Sequence, residues 1–539
     1  MGHGRYKVGT ERSQASLLPA RVEDYVAANN PVRAIEAYAE GIDLAGLGFR
    51  HAERGVSAGQ PPYDPADLLK LYLYGYLNRV RSSRALEREA GRNLEVIWLL
   101  RSQTPGYRTI AKFRAENATA LRAANRDFVR LLGRLGLLGG SLVAIDGAFF
   151  DGNASKASMV TAKRLTEQLA ALDRDIDAYA AAVAADDARE EAETTTPAGD
   201  AGARMAELVA KRDRVAADRA RLEASGETQL SRTDPDARLL SKSGQTVSGY
   251  NVQIAVDDAH KLIVASEVVN DGNDSGQLHA VAQAAKEALE VETLNAVADA
   301  GYFNGETLRA CKAEGITPFV PEPSRGRAAA AASRGWFGLE KFTYDAAADR
   351  YRCPAGEELR PMPGRKHDVT GKTRIRYATR RSVCRACPLR QNCLSGKAER
   401  RQIERWEHED VLERHRARMK QADGIMRRRK ALAEHPFGTL KCRAGYRHFL
   451  VRGFAKVRGE WSLMALCYNL SRLLTIIGVA RFIAWIVDAC AQIAFGLLAA
   501  AAMVLRIALA VRSPESPATP LRTGRCRYFG LPALATTIG

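Results

Sequence analysis

The first hydrophobic pattern in the chain is helical. Between Tyr63 and Arg114, apolar residues recur every three or four positions after the helix-start pair Asp64 and Pro65. We therefore predict a helical N-terminal domain over residues 15–138. Its tyrosines are expected to pack inside the domain, whereas its arginines either cover an exposed helix face or reach phosphates. These tyrosines are Tyr72, Tyr74 and Tyr76, and these arginines are Arg79, Arg81, Arg84 and Arg88.

Short apolar runs bounded by turn residues follow, and they indicate buried strands. Helical stretches at residues 276–289 and 304–315 separate the last of these runs. Strands that are first adjacent and then alternate with helices predict a mixed α/β sheet, which forms the first part of a catalytic-core candidate, residues 139–324. The predicted strands are Leu142–Phe150, Ser248–Asp258, Leu262–Val269, Asn295–Phe303 and Ile316–Pro323.

Two segments interrupt this pattern. Residues 161–226 contain two charged, Ala-rich helical stretches joined by a polar loop, which predicts a helical-hairpin insertion. Residues 325–400 are rich in Ala, Arg and Cys without a clear period, and we expect a Cys-containing insertion there. Helical periodicity returns in residues 401–478, which are expected to complete the core.

The C-terminal segment, residues 479–539, contains a long apolar run. This run, Ala489–Leu505, has 17 residues, which is the lower edge of membrane-spanning length. Because it is rich in Ala, we expect a helix that packs on the core or on a second subunit. After Ser513 the composition predicts disorder.

The charge balance changes the picture. The 539 residues carry a net charge of +18, and residues 401–458 alone hold 16 Lys or Arg against 7 Asp or Glu. Crowded like charges favour a polyanionic partner such as nucleic acid, with a membrane surface as the competing polyanion. Nine irregularly spaced cysteines and no apolar leader at the N-terminus favour a reducing cytoplasm.

Two predicted strands end in the same way. "AIDG" ends at Gly147 and "VADAG" at Gly301, so that Asp146 and Asp299 each follow an apolar run and precede a turn. Sites in mixed α/β sheets gather at the carboxyl ends of strands, where the two acids could share a metal ion. Capping of the following turn is the alternative for each aspartate alone.

A third acid lies on a predicted helix. Apolar residues from Leu463 to Ile477 form one stripe, and Glu460 stands three residues before it on the same face, pointing toward the core. The alternative is a first-turn glutamate that interacts with the helix dipole. Three converging carboxylates suit Mg²⁺ or Mn²⁺, and two such ions can act on a phosphodiester.

The cysteines of the Cys-containing insertion suggest a second metal. Their spacing is C-x30-C-x2-C-x5-C, which resembles half of a zinc knuckle or ribbon. Structural Zn²⁺ is therefore one prediction, and ordinary reduced thiols are the alternative. The candidate ligands are Cys353, Cys384, Cys387 and Cys393.

An ordered set of motifs resembles a known family. "AIDG", "YNVQIAVD", "ADAGYF" and the block from His435 to Leu474 follow one another as in bacterial insertion-sequence transposases of the DDE class with a helical N-terminal domain. The resemblance covers about residues 15–478. It implies an RNase H-like catalytic core in which Asp146, Asp299 and Glu460 match the three metal-binding acids.

The resemblance also implies an activity and partners. The expected reaction is metal-dependent cleavage and strand transfer of the ends of an insertion sequence; a catalytically decayed DNA-binding relic and a nuclease that cuts without joining are the alternatives. Terminal inverted repeats and target DNA are the expected partners of a homodimer or larger assembly near the nucleoid, without stable membrane association. The expected DNA contacts are Arg427, Arg428, Arg429, Arg452, Lys456 and Arg458.

Overall fold

The structure is a computed structural model of the 539-residue chain. Its described part contains a helical N-terminal region, a mixed sheet flanked by helices, a pair of long helices and a second sheet of short strands. The predicted mixed α/β architecture with a helical N-terminal region is confirmed. The structure describes residues 21–53, 61–190, 201–242, 244–323, 335–364, 366–367, 372–394, 398–489 and 491–492.

The N-terminal helices pack around α2, Pro65–Leu77. Asp64 caps α2 by accepting a hydrogen bond from the backbone N–H of Ala66 at 2.9 Å, and Pro65 occupies the first helical position. Every residue from Pro65 to Tyr76 is buried, which confirms that the three tyrosines of α2 pack in the core. The other helices are α1 Pro31–Gly41, α3 Ser83–Arg92, α4 Leu94–Leu99, α5 Tyr107–Glu116 and α6 Ala118–Arg134.

The central sheet has the strand order β4-β5-β1-β7-β8, and β6 pairs with β5. The pairs β4–β5, β5–β6 and β5–β1 are antiparallel, whereas β1–β7 and β7–β8 are parallel. Its strands are β1 Leu142–Asp151, β4 Arg238–Lys242, β5 Gln245–Asp257, β6 Ile263–Val269, β7 Leu294–Val297 and β8 Ile316–Phe319.

The fourth predicted strand is shorter than expected. Strand β7 ends at Val297, and residues Ala300–Tyr302 form a 3-10 turn instead of continuing to Phe303. The turn forms because the side chain of Asp299 accepts a hydrogen bond from the backbone N–H of Gly301.

Two long helices follow a short antiparallel pair of strands. The strands are β2 Met159–Thr161 and β3 Gln229–Ser231, and the helices are α7 Ala162–Glu190 and α8 Ala201–Ser225. Apolar side chains at the strand-proximal end, including Leu165 and Leu222, form a small core between the two helices. The two predicted helices are present, and the loop predicted between them lies outside the described residues.

The Cys-containing segment is a β-structure that its irregular composition did not predict. Its six strands have the order β12-β13-β11-β10-β9, with β14 beside β13, around a core that includes Tyr351 and Tyr377. Its strands are β9 Thr343–Asp345, β10 Arg350–Arg352, β11 Glu358–Pro361, β12 Lys366–His367, β13 Thr373–Ala378 and β14 Gln402–Trp406. Its helices are α11 Arg381–Ala386 and α12 Arg390–Cys393. Earlier in the chain, the helices next to the central sheet are α9 Leu278–Leu289 and α10 Gly305–Ala313.

Helices cover both faces of the central sheet. The face of Val143 and Ile145 packs on α9 and α10. The opposite face of β1 packs on α14, Asp423–Phe437, at Ala144 and on α15, Phe454–Ile477, at Phe150. Before them, α13 spans Glu409–Met419.

The chain turns sharply after α15. The next helix, α16, spans Val479–Ala489 and meets α15 at an angle of 103°. Across the described residues, only this bent pair combines the length and apolar composition that a membrane span requires, and neither helix does so alone. Nearly all of the predicted apolar helix Ala489–Leu505, and the predicted disordered tail, lie outside the described residues.

Candidate active site

Two aspartates lie side by side, just beyond the last paired residues of β1 and β7. The parallel register pairs Ala144 with Val297, and Asp146 and Asp299 each follow two residues later. Asp299 is still in extended backbone, with φ −79° and ψ 174°. Because neighbouring strands are about 4.8 Å apart and alternate residues share a face, the sheet brings these two predicted acids together on the face that α14 covers.

Backbone N–H groups orient both carboxylates. Oδ1 of Asp146 accepts a hydrogen bond from the backbone N–H of Gly147 at 2.9 Å, and Oδ1 of Asp299 accepts one from Gly301 at 2.8 Å. Both aspartates are half-buried. The turn interaction that the sequence offered as an alternative is present at Asp299. The predicted turn after Asp146 is absent, because β1 continues through Gly147 to Asp151.

A buried polar network lies next to the two aspartates. Asp274 accepts hydrogen bonds from the side-chain amides of Asn251 at 2.9 Å and Gln253 at 2.7 Å, and the hydroxyl of Tyr302 donates to Gln253. All four residues are buried. Sequence reasoning missed this network, although two amides in the otherwise apolar run of β5 were a usable signal.

The network explains the glycine after Asp146. A Cβ atom at Gly147 would lie 2.7 Å from Oδ1 of Asp274, which is closer than real Cβ contacts. A Cβ atom at Gly301 would lie 3.8 Å from Oδ2 of the same carboxylate. Asp274 therefore lies near both Gly147 of β1 and Gly301 of the turn that follows Asp299.

The acids create a negative potential at this edge of the sheet. Burial, and then the carboxylate of Asp274, raise the pKa of Tyr302 well above its usual range. Asp146 and Asp299 raise this pKa further, whereas the guanidinium of Arg429 opposes the rise. Three carboxylates and one arginine thus act on a single hydroxyl, and their net negative charge favours binding of a cation.

A lysine lies beside β1 in the π-helix Gly438–Arg443, which follows α14. Nζ of Lys441 donates a hydrogen bond to the backbone carbonyl of Phe149 at 2.5 Å. Burial lowers the pKa of Lys441 to about 8, although Asp151 and Asp146 oppose this change. Lys441 therefore places a positive charge near Asp146, and the pKa of Lys441 lies near physiological pH.

Glu460, the predicted third acid, has other partners. It is fully buried, and its Oε1 accepts hydrogen bonds from Tyr76 at 3.0 Å and Arg114 at 3.5 Å. Oε2 accepts from the backbone N–H groups of Leu450 at 2.8 Å and Val451 at 3.3 Å. The described contacts of Glu460 therefore join α15 to the N-terminal helices, and its role as a metal ligand stays a prediction.

Another glutamate lies on the helix above the two aspartates. Leu432 and Ala433 of α14 pack on the face of β1 and β7 that carries the aspartates, and Glu434 is the next residue. Glu434 is exposed, and its side chain makes no hydrogen bond or ion pair with a described residue. Sequence reasoning missed Glu434, because no local pattern distinguishes this acid from the others in a stretch with a net charge of +9.

Neither predicted metal site is complete in this arrangement. Within the described ranges, no three His, Cys, Asp or Glu side chains form a group that could hold a metal ion. The four cysteines of the Cys-containing segment line one cavity of about 30 Å³, and burial raises the pKa of the Cys393 thiol. The cysteines are thus neighbours, as their spacing suggested, but their geometry does not support the zinc assignment. Zinc binding by Cys353, Cys384, Cys387 and Cys393 stays a prediction.

The predicted DNA contacts separate into two groups. Arg428 forms an ion pair with Asp258 and Arg458 forms one with Glu267, while Arg429 is half-buried and acts on Tyr302. Arg428 and Arg458 thus have ion-pair partners inside the protein, and Arg429 interacts with Tyr302 only through its charge. The second group is exposed and forms no ion pair with a described residue: Arg427, Arg452 and Lys456.

Two family models match the chain. The model described as a transposase domain (DUF772) matches residues 20–116, and the model described as a transposase DDE domain matches residues 352–474. The two matches support a DDE-class insertion-sequence transposase. This transposase is a nucleic-acid-processing enzyme with DNA as its substrate. Comparisons with curated proteins and with solved structures find no match.

The two matches cover different parts of the transposase. The first covers the helices from α1 to α5, and the second covers most of the Cys-containing sheet together with α13, α14 and most of α15. Both Glu434 and Glu460 lie in the second match, whereas Asp146 and Asp299 lie outside both. The pairing of the aspartates therefore rests on the sheet register alone.

Proposed function

We propose that this transposase cleaves the ends of an insertion sequence and joins them to target DNA in a metal-dependent reaction centred on Asp146 and Asp299. The observation that carries the proposal is the parallel register of β1 and β7, which sets the two carboxylates on neighbouring strands and one face. The register makes a shared ligand site possible for residues separated by more than 150 positions in the sequence.

The topology supports an RNase H-like core. Three antiparallel strands, β6, β5 and β1, are followed by two strands that run parallel to β1, with helices on both faces. The core proposed here uses residues 139–324 and 401–478, with the hairpin 161–226 and the segment 325–400 as insertions. The helical part, residues 15–138, is proposed to bind DNA or to mediate assembly.

The residues at the site fit a hard divalent cation. Carboxylate oxygens are the ligands that Mg²⁺ and Mn²⁺ prefer, and a site with few carboxylates leaves positions for phosphate oxygens. When bound, a pair of such ions supplies activation of a water or 3′-hydroxyl and stabilisation of the leaving oxygen. Asp146 and Asp299 would hold the cation, while Asp274 and Tyr302 would keep β1 and the turn after Asp299 in position.

We place the third carboxylate at Glu434 rather than Glu460. Arg428 and His435 are seven residues apart on α14, so they share one flank, and they contact Asp258 at the end of β5 and Tyr468 of α15. Glu434 lies about 100° around the helix from His435, on the flank away from β5 and toward β7.

The contacts of Glu460 support the same choice. Its two carboxylate oxygens already accept four hydrogen bonds. A metal ion at Glu460 would have to displace at least one of them, whereas Glu434 has no described partner to lose.

Two cations of the chain are placed to meet a phosphate. Arg429 faces the acidic edge, and Lys441 is held on β1 near Asp146. A phosphodiester approaching the two aspartates would be repelled by their charge, and these cations offset that repulsion. They would orient the DNA backbone at the site.

The proposal includes the setting of the reaction. DNA ends and target DNA would be held by two or more copies of the transposase near the bacterial nucleoid in the cytoplasm. The exposed residues Arg427, Arg452 and Lys456 would contribute phosphate contacts outside the acidic edge.

A strand-transfer assay tests the proposal. Purified full-length protein is incubated with labelled element ends, target DNA and Mg²⁺, and both cleaved and joined strands are expected. Cleavage without joined products would favour a nuclease, and DNA binding without either product would favour a catalytically decayed relic. The Asp151→Ala variant serves as a control, because Asp151 is an exposed acid of β1 outside the proposed pair.

A further inference from the structure

A cleft away from the two aspartates is lined by arginines. It has a volume of about 330 Å³ and lies between α6, α9, α15 and the edge strand β6. Helix α6 contributes three arginines at intervals of four residues, which places them on one face with a spacing of about 6 Å along the helix axis. These are Arg122, Arg126 and Arg130.

Two of these arginines form no ion pair with a described residue, although Glu267 and Asp127 act electrostatically on Arg126 and Arg130 respectively. Arg122 pairs with Glu267 at 3.2 Å, and Arg458 of α15 pairs with the same carboxylate at 2.5 Å. Arg126 and Arg130 form no hydrogen bond or ion pair with a described residue. Like charges held close together without a partner favour an anion.

A buried side chain in the same cleft also lacks a partner. Asn125 is 9% exposed and lines the cleft, and its side-chain oxygen has no hydrogen-bond partner among the described residues. Since the oxygen and nitrogen of an amide exchange positions on a flip, Asn125 can offer an N–H donor to a ligand. The cleft thus holds two arginines that form no ion pair with a described residue and one polar atom without a hydrogen bond.

The opposite wall limits where an anion can lie. Glu287 of α9 and Glu290, which caps the end of that helix, also line the cleft and would repel a phosphate. The favourable path therefore runs along α6, past Arg126 and Arg130. A row of cations along one helix suits successive phosphates of a nucleic-acid backbone better than a single small anion.

We infer that this cleft is a second DNA-backbone site, in which Arg126 and Arg130 contact phosphates. The inference rests on the proposed function, because it takes DNA as the ligand. The two arginines lie on α6 beside β6, at one edge of the central sheet, whereas the aspartates lie near β1 and β7. The site would hold a stretch of DNA that the acidic edge does not contact.

The salt dependence of DNA binding tests the inference. Affinity of full-length protein for a random-sequence duplex is measured over a series of salt concentrations. Arg126→Ala with Arg130→Ala is expected to reduce the slope of log affinity against log salt by about 1.8, since each phosphate contact contributes about 0.9. Replacement of both residues by Lys should retain most of the slope, because the charge is kept.

A matched control separates this effect from net charge. Lys211 and Arg214 of α8 are exposed and carry the same charge, and their replacement by Ala should leave the slope unchanged. Thermal melting of each variant verifies that the fold is retained. An unchanged slope in the folded Arg126 and Arg130 double variant would overturn the inference, whereas absence of any DNA binding by the wild type would overturn the proposed function itself.

A second measurement distinguishes DNA from other occupants. Melting of the wild type and the double variant is recorded with and without inorganic phosphate, and self-association is measured by sedimentation. Stabilisation by phosphate in the wild type alone, with no change in the DNA slope, would make the cleft a small-anion site and overturn the DNA assignment. Loss of self-association with an unchanged slope would make it a subunit contact, with the same consequence.

Discussion

The hydroxyl of Tyr76 on α2 donates a hydrogen bond to the buried carboxylate of Glu460 on α15 over 3.0 Å. Arg114 on α5 donates to the same oxygen, and the loop at Leu450 donates to the other. That loop also pairs with the end of β1, because the backbone N–H of Phe449 donates to the carbonyl of Asp151. Glu460 therefore links the N-terminal helices to the strand that carries the first aspartate.

Removal of the Glu460 carboxylate should destabilise the protein. Glu460→Ala leaves the guanidinium of Arg114 buried without its counter-charge, and breaking a buried pair of this kind costs about 3–5 kcal/mol. Urea unfolding measures the loss, and Glu434→Ala is the control, expected within about 0.5 kcal/mol of the wild type because Glu434 is exposed. If Glu460→Gln is as stable as the wild type but loses stabilisation by Mg²⁺, Glu460 is a metal ligand after all.

Catalysis should depend on three acids and not on their neighbours. Asp146→Ala, Asp299→Ala and Glu434→Ala should each reduce cleavage and joining by about a thousandfold or more, because residues serving one site act as a unit. DNA binding should survive, and strand-transfer gels with a parallel binding assay measure both. Asp423→Ala is the control, since Asp423 is an exposed acid at the other end of α14. Robust strand transfer by Asp146→Ala would contradict the whole site assignment.

Exposed cations that form no ion pair should carry more of the DNA affinity than Arg428, which is exposed but paired. Replacing Arg427, Arg452 and Lys456 together by Ala should lower the salt slope by up to about 2.7, at about 0.9 per lost phosphate contact. Arg428→Ala should change the slope little, because its guanidinium is paired with Asp258. Equal effects of the single variants Arg427→Ala and Arg428→Ala would show that the ion pair opens to bind DNA.

Asp127 should make stability depend on pH. Burial raises the pKa of Asp127 from 3.8 to about 7, although Arg134 and Arg130 oppose the rise. Between these two values the native state keeps a proton that the unfolded chain releases, so stability should fall as pH rises from about 4 to about 7, by at most about 1.4 kcal/mol per pH unit. Asp127→Asn should lack this component and be the more stable protein at pH 8. Parallel pH profiles of the two proteins would contradict the assignment.

Gly459 should be required where α15 crosses α6. A Cβ atom at Gly459 would lie 2.7 Å from Cα of Ala118, and this backbone cannot move aside as a flexible side chain would. Gly459→Ala should therefore cost about 1–3 kcal/mol in urea unfolding. Gly438 is the matched control, because a Cβ atom there meets nothing within 4 Å, and its replacement by Ala should be neutral or stabilising.

Local patterns determined the elements of this protein. Helical spacing of apolar residues predicted α2 and the packing of its tyrosines, and short apolar runs predicted β1, β5 and β6, because these periodicities follow from backbone geometry alone. The stripe that ends at Ile477 also predicted correctly that Glu460 faces inward. The short strands around Tyr351 had no such period, since each is only a few residues long.

Tertiary structure decided which of these residues meet. The register between β1 and β7 brings Asp146 beside Asp299, and no local pattern contains that register because it depends on strand pairing across more than 150 residues. The same holds for Glu460: its helix face was predictable, but its partner surface is set by the packing of α15 on α2 and α5. A periodic stripe specifies that a side chain is buried, and only the docking of whole helices specifies against what.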